Sequence, residues 1–207
     1  MVGAEIIYQY FPELTPEKRD QIAALKDIYA WHNERVNLIS RKDMDSFYLH
    51  HILHSLALAK VCSFTPGMKV IDIGTGGGFP GIPLSIMFPE VQFTLCDSIA
   101  KKIRAVQDVI DRLDLKNATA LNSRTEQLSG KYDLATARAV APMTDLWNWM
   151  KGKWAGNPRF CLLKGGDLAA EMNELLMVQK NLKIRSTGIA DFFAEPFFET
   201  KKVICID

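Results

Sequence analysis

Val70-Ile71-Asp72-Ile73-Gly74-Thr75-Gly76-Gly77-Gly78-Phe79-Pro80-Gly81-Ile82-Pro83 is the stretch on which the reading of the whole chain turns. The apolar run from Met68 to Ile73 has the character of a strand buried in a parallel sheet. Glycines directly behind it let the backbone turn sharply and approach a ligand, because no Cβ intrudes. A helix beginning near Pro80 aims its free N–H groups and the positive end of its dipole back at the turn. Strand, glycine turn and helix together predict a cradle for a nucleotide-type cofactor.

Two cofactors fit the glycines. Gly76-x-Gly78-x-x-Gly81 satisfies the dinucleotide fingerprint. Asp72-x-Gly74-x-Gly76-x-Gly78 resembles the first motif of class I S-adenosylmethionine (AdoMet) methyltransferases. Asp72 favours AdoMet: a carboxylate repels a pyrophosphate, but near a sulfonium and an α-ammonium it helps, directly or through water. Asp97 ends the next strand about twenty residues on, the spacing of a ribose-binding acid. Its two oxygens suit two hydroxyl donors, and a plain helix N-cap is the other reading. Asn122-Ser123-Arg124-Thr125-Glu126 follows the third strand, where such folds hold adenine.

Outward from this core, the chain divides at the turn Thr65-Pro66-Gly67. Residues 1–66 are expected to form a helical extension. Thr15 caps a helix with Pro16 at its first position and Ile22, Leu25, Ile28 or Tyr29, and His32 on its apolar stripe. Asp43 or Asp45 is expected to cap a second helix running to Lys60. Residues 67–207 alternate strand and helix. Strands are expected near 68–73, 92–97, 118–121, 132–137, 159–164, 182–188 and 197–206, and helices near 80–88, 99–113, 142–151 and 167–180. That alternation implies an α/β fold, a parallel sheet covered on both faces, with the last two strands antiparallel for want of a helix between them.

The 207 residues suit one domain with an added subdomain. A net charge of +1 advertises no strong nucleic-acid field, so any RNA contact is local. Arg35, Arg41, Lys42, Lys101, Lys102 and Arg104 offer local basic clusters, although charge runs are commonly solvated helix faces. Cys96, Cys161 and Cys205 lie in apolar runs and are expected as reduced core residues, which fits a cytoplasmic protein. No signal peptide and no membrane span are expected. His50, His51 and His54 lack a full ligand set, so no metal is expected.

Ligands of open α/β sheets bind beyond the carboxyl ends of the strands. Arg138, ending the fourth strand, and Lys164, ending the fifth, are therefore the candidate catalytic residues. Arg138 suits a guanine, a phosphate or the cofactor carboxylate, or a structural ion pair. Lys164 sits otherwise in a solvated loop that Gly165 and Gly166 keep flexible. Trp147, Trp149 and Trp154 are expected in the core.

With these residues in view, the sequence resembles the RsmG (GidB) family of bacterial 16S ribosomal RNA guanine-N7 methyltransferases. The resemblance spans most of the chain and is densest at Asp72 to Leu84, where Phe79-Pro80-Gly81-Ile82-Pro83 is far more specific than the glycines. Val36-Asn37-Leu38-Ile39-Ser40, His51-Ile52-Leu53-His54-Ser55, Leu95-Cys96-Asp97-Ser98, Ala137-Arg138-Ala139 and Leu163-Lys164-Gly165 also match. His54 stands where the family has Asp, and His32 where it has a tryptophan. The resemblance implies a class I AdoMet-dependent methyltransferase fold with a seven-stranded sheet, and AdoMet contacts at Gly74, Phe79, Thr125, Glu126 and Arg138. It implies 16S rRNA or the small-subunit particle as partner; a monomer is expected. A methyltransferase for a small molecule or protein, or a non-catalytic AdoMet-binding factor, is the alternative.

Overall fold

The computed structural model describes residues 2–207; Met1, the first residue of the expected extension, lies outside them. Seven strands form one sheet: β1 Lys69–Ile73, β2 Gln92–Asp97, β3 Ala118–Asn122, β4 Leu134–Arg138, β5 Phe160–Gly165, β6 Ile184–Gly188 and β7 Lys201–Ile206. Their order is β3-β2-β1-β4-β5-β7-β6. The first five run parallel and β7 is antiparallel to both β5 and β6. The strand order reverses between β1 and β4, so the crevice beyond Ile73 and Arg138 is the switch point where a ligand sits.

Helices cover both faces. α1 (Glu5–Tyr10), α2 (Pro16–Asn33), α3 (His54–Val61), α4 (Gly81–Met87) and α5 (Ala100–Arg112) pack on one; α6 (Met143–Trp149) and α7 (Ala169–Val178) cover the other. Successive strand residues point to opposite faces, and β1 shows it: Val70 joins the first hydrophobic cluster, Ile71 and Ile73 the second. The N-terminal helices share the first cluster with α4 and α5, so this segment and the sheet bury one continuous core.

α2 follows its sequence. The Lys18 N–H donates to Thr15 Oγ1 at 3.4 Å, Pro16 opens the helix, and Ile22, Leu25, Tyr29 and His32 are buried. The second helix departs from expectation. A 3₁₀ segment, Arg41–Ser46, leads into a π-helical turn, Tyr48–Leu53, before α3 begins. Asp43 caps no helix here; its Oδ1 lies 3.1 Å from His50 Nδ1, a side-chain partner that replaces the backbone N–H.

The cysteines also correct the sequence reading. Cys161 is not a reduced core thiol but forms a disulfide with Cys62, 99 residues away. The C-terminal end of α3 packs against β5, which no local spacing reveals. Cys96 and Cys205 remain free and buried, with Cys205 Sγ 3.5 Å from Cys161 Sγ and 3.8 Å from Cys62 Sγ. Cysteine usage therefore carries no argument about compartment. No helix among the described residues is long and apolar enough to cross a membrane.

Candidate cofactor and active site

A cavity of about 390 Å³ opens beyond the carboxyl ends of β1, β2 and β4. Its wall includes Gly74, Gly76, Phe79, Asp97, Thr125, Glu126 and Arg138, seven of the residues singled out in the sequence. Gly74 shows why the turn needs glycine. Its φ is +59°, and an added Cβ would lie 2.7 Å from Val140 Cγ1. Ala139, beside it in the wall, holds φ at +54°, a left-handed conformation that a non-glycine residue adopts only at a cost.

Asp97 faces the cavity from the end of β2. Its Oδ2 accepts the Gly76 N–H at 2.9 Å and its Oδ1 accepts the Ile99 N–H at 2.8 Å. The carboxylate thus braces the glycine turn and the entry to α5 together, although the helix itself opens at Ile99 with no side-chain cap. Each oxygen keeps a lone pair for a ligand hydroxyl.

Asp72 is placed differently from the expectation. It is fully buried beneath the turn and does not line the cavity. Its Oδ2 accepts the Thr75 hydroxyl (2.6 Å) and the Gly81 N–H (3.0 Å), and its Oδ1 accepts the Thr136 hydroxyl (3.1 Å). Gly81 is required for this approach, since a Cβ there would sit 2.6 Å from Leu95 and 3.0 Å from Asp72 Oδ2. Burial raises the Asp72 pKa to about 6, against the three hydrogen bonds that favour the charge. Asp72 therefore shapes the cradle from behind; its oxygens have no path to a sulfonium.

Lys164 also departs from its candidate role. Its Nζ lies 2.5 Å from Glu171 Oε1 and donates to the Ala141 carbonyl at 2.7 Å, outside the cavity. Its amine is engaged away from the cavity, and it is not a solvated loop residue. It ties the end of β5 to α7, an acid partner seven residues away that spacing alone does not single out.

Arg138 reaches the cavity from β4 and is held from the far side. Nη1 donates to the His50 carbonyl and Nη2 to His51 Nδ1, each at 3.1 Å, and the guanidinium lies over the Phe79 ring at 5.0 Å. Burial lowers its pKa to about 10, which leaves it charged at neutral pH. Because a guanidinium only donates, His51 Nδ1 is the acceptor and the ring proton sits on Nε2. Burial and the Arg138 charge depress the His51 pKa to about 3, consistent with a permanently neutral ring. His54 is neutral for the same reasons, packed edge-on to Phe197 and Phe198.

The N-terminal segment closes the cradle. The Tyr29 hydroxyl donates to the Gly77 carbonyl at 2.5 Å, and its ring packs on Phe79 and Phe47. Leu38, Cys96, Ser98, Lys102 and Trp149 line the cavity as well, and the sequence pointed to no cavity role for Leu38 or Cys96. Trp149 packs against the second core cluster, as expected, and at the end of α6 it also lines the cavity.

Residues 19–194 match the family described as rRNA small subunit methyltransferase G. Relatives named "Ribosomal RNA small subunit methyltransferase G" include that of Christiangramia forsetii, 46% identical over 206 residues, with 97% of this chain and 95% of the relative covered. That of Bacteroides thetaiotaomicron is also 46% identical, covering 97% and 98%.

The chain belongs to the rRNA small subunit methyltransferase G family.

Among solved structures, a SAM-dependent methyltransferase from Aquifex aeolicus superposes with a TM-score of 0.58 at 15% identity, over 77% of this chain and 92% of that one. Aeropyrum pernix fibrillarin with natively bound S-adenosyl-L-methionine gives 0.58 at 13% identity, over 75% and 74%. These likenesses are of fold: the class I AdoMet-dependent methyltransferase fold. The cofactor of the family is AdoMet, and the cavity suits it by its own chemistry. It pairs a glycine floor that a Cβ would fill with an acid at the end of β2 and a guanidinium at the end of β4.

Proposed function

We propose that this protein is an AdoMet-dependent methyltransferase acting on N7 of a guanine in 16S ribosomal RNA. The observation that supports this most is membership of the rRNA small subunit methyltransferase G family across nearly the whole chain, joined to a cavity with the matching donor set. Bound AdoMet supplies a methyl group on a cationic sulfur. Asp97 would accept the ribose hydroxyls while the same carboxylate keeps the glycine turn in place. Thr125 and Glu126 would flank the adenine, and Phe79 with Gly74 and Gly76 the remainder. Arg138, oriented by His51, would hold the cofactor carboxylate or the incoming guanine through its remaining N–H groups.

Guanine N7 carries a free lone pair at neutral pH, so its attack requires no deprotonation. What the protein must supply is alignment, the entropic part of catalysis. A cavity from whose wall Lys164 and Asp72 are both absent, each engaged elsewhere, is compatible with that demand. An rRNA substrate places the reaction in the cytoplasm, with the free rRNA or the small-subunit particle as partner and the protein acting as a monomer. Residues 1–66 would serve this methyltransferase domain as an extension that completes the cofactor cradle through Tyr29 and Leu38.

The test is transfer of label from AdoMet to small-subunit rRNA isolated from cells lacking the gene. Labelled rRNA, with no label on free nucleotides or added proteins, is the expected result. Label on a small molecule or protein in the absence of RNA would replace this reading with the alternative.

A further inference from the structure

We propose that a second cleft, lined by Arg35, Asn37, Ser40, Arg41, Lys42 and Lys101, is a phosphate groove that holds the RNA strand flanking the base in the cofactor cavity. The proposal rests on the RNA reading above and adds where the backbone runs. Charge is the first argument. The cleft gathers four cations around one carboxylate, Glu34, and that carboxylate pairs with Arg35 at 3.4 Å. Arg41, Lys42 and Lys101 make no ion pair among the described residues, whereas Arg112, Arg185 and Lys164 each have an acid partner. In a chain of net charge +1, four cations facing one carboxylate make this concavity locally basic.

Continuity is the second. Leu38 lines the cofactor cavity and its neighbour Asn37 lines the cleft; Lys102 lines the cavity and Lys101 the cleft. The two concavities therefore meet along one ridge built from the α2–α3 connection and the first turn of α5. A strand whose base enters the cavity has its adjacent phosphates at this ridge.

Rigidity is the third. Buried Asn33 accepts the Leu38 and Ile39 N–H groups on Oδ1, at 2.9 and 3.1 Å, and donates from Nδ2 to the Ile39 carbonyl at 2.9 Å. Asn37 and Ser40 are thus displayed from a fixed loop, and little ordering accompanies binding. The contacts on offer suit the sugar–phosphate backbone, not base edges. The exposed aromatic nearby, Trp31, already carries Arg35 and Arg112 against its ring, at 4.1 and 4.5 Å from the centroid. The groove therefore sets affinity and register and leaves base choice to the cavity.

The test compares the wild-type chain with R41Q/K42Q/K101Q and with a control, K180Q/K183Q/R185Q, that removes equal charge at the β6 edge of the sheet. Binding of a fluorescent single-stranded 16S rRNA fragment is followed by anisotropy over a range of salt, and AdoMet binding by calorimetry. The groove variant should bind RNA about tenfold or more weakly, with a salt slope shallower by about 2, near 0.7 per cation lost. The control should keep the wild-type slope, and both should bind AdoMet as the wild type does. Equal RNA affinity and slope in groove variant and wild type would overturn the groove, as would equal losses in groove variant and control. A groove variant that binds free RNA normally but fails on the assembled particle would assign the cleft to an acidic protein instead, and overturn it too. Wild type that binds the RNA and leaves it unmethylated is a different failure: it removes the proposed function while the groove is still judged by binding.

Discussion

Arg138 Nη2 donates to His51 Nδ1 at 3.1 Å, and this bond joins the helical N-terminal segment to the wall of the cofactor cavity. The π-helical turn brings it about, since it turns both the His50 carbonyl and the His51 ring toward one guanidinium. Such turns recur at functional positions, where regular helix would aim these groups elsewhere.

The bond predicts a graded pair of variants. His51→Leu removes the acceptor and leaves a buried guanidinium half-paired, so AdoMet affinity or kcat/KM should fall about tenfold, near 1.4 kcal/mol. His51→Asn returns an acceptor close to the Nδ1 position and should recover much of that loss. Calorimetry and steady-state kinetics on both variants check it. Equal behaviour of the two would mean that His51 acts by packing alone.

Asp97→Ala should weaken AdoMet binding by about 1–3 kcal/mol, the range for hydrogen bonds to a charged group. Because Asp97 also accepts the Gly76 and Ile99 N–H groups, some thermal stability should be lost with it. Asp97→Asn separates the two roles: it keeps one acceptor for the backbone and loses the anion. Calorimetry beside thermal melts reads both, and unchanged affinity in Asp97→Ala would remove the ribose role.

Gly74→Ala should destabilise the fold and abolish cofactor binding together. Its Cβ meets Val140 at 2.7 Å, and φ of +59° costs an L-residue about 1–2 kcal/mol. Adding Val140→Ala should restore the steric part of the stability and leave the conformational part. A double variant no more stable than Gly74→Ala would contradict that division, and denaturant melts decide it.

Acid should loosen the protein through its buried histidines. His51 and His54 have pKa values lowered to about 3 by burial, from the ordinary imidazole value of 6.5. A depressed pKa contributes stability that is present above 6.5 and is lost as pH falls toward 3. His54→Leu should therefore flatten the stability profile between those limits. Asp72 works with the same slope at its own carboxylate only in reverse: its pKa is raised from 3.8 to about 6, so its contribution is full below 3.8 and gone above 6. Asp72→Asn should accordingly gain on the wild type as pH rises from 4 to 6. Melts at stepped pH measure both slopes.

Much of the fold was legible because parallel strands are buried on both faces and read as apolar runs, as Val70 to Ile73 and Phe160 to Leu163 do. The glycine turn and Asp97 were legible because the ligand-facing backbone constrains residue type directly. What was hidden depends on distant partners. Lys164 is claimed by Glu171, Asp72 by Thr75, Gly81 and Thr136, and Cys161 by Cys62. Leu38, from a segment that matches the family, and Trp149, from the end of α6, entered the site through packing that residue spacing does not show. His54, the departure from the family pattern, lies among Phe197 and Phe198, away from the cavity wall.

The central claim is the position of the methyl group. Small-subunit rRNA from cells lacking the gene, treated with the purified protein and AdoMet, is digested and its nucleosides are resolved by mass spectrometry. A single gain of 7-methylguanosine is the expected result. A methyl group on an exocyclic amine, on a ribose 2′-oxygen or on no nucleoside at all would contradict it.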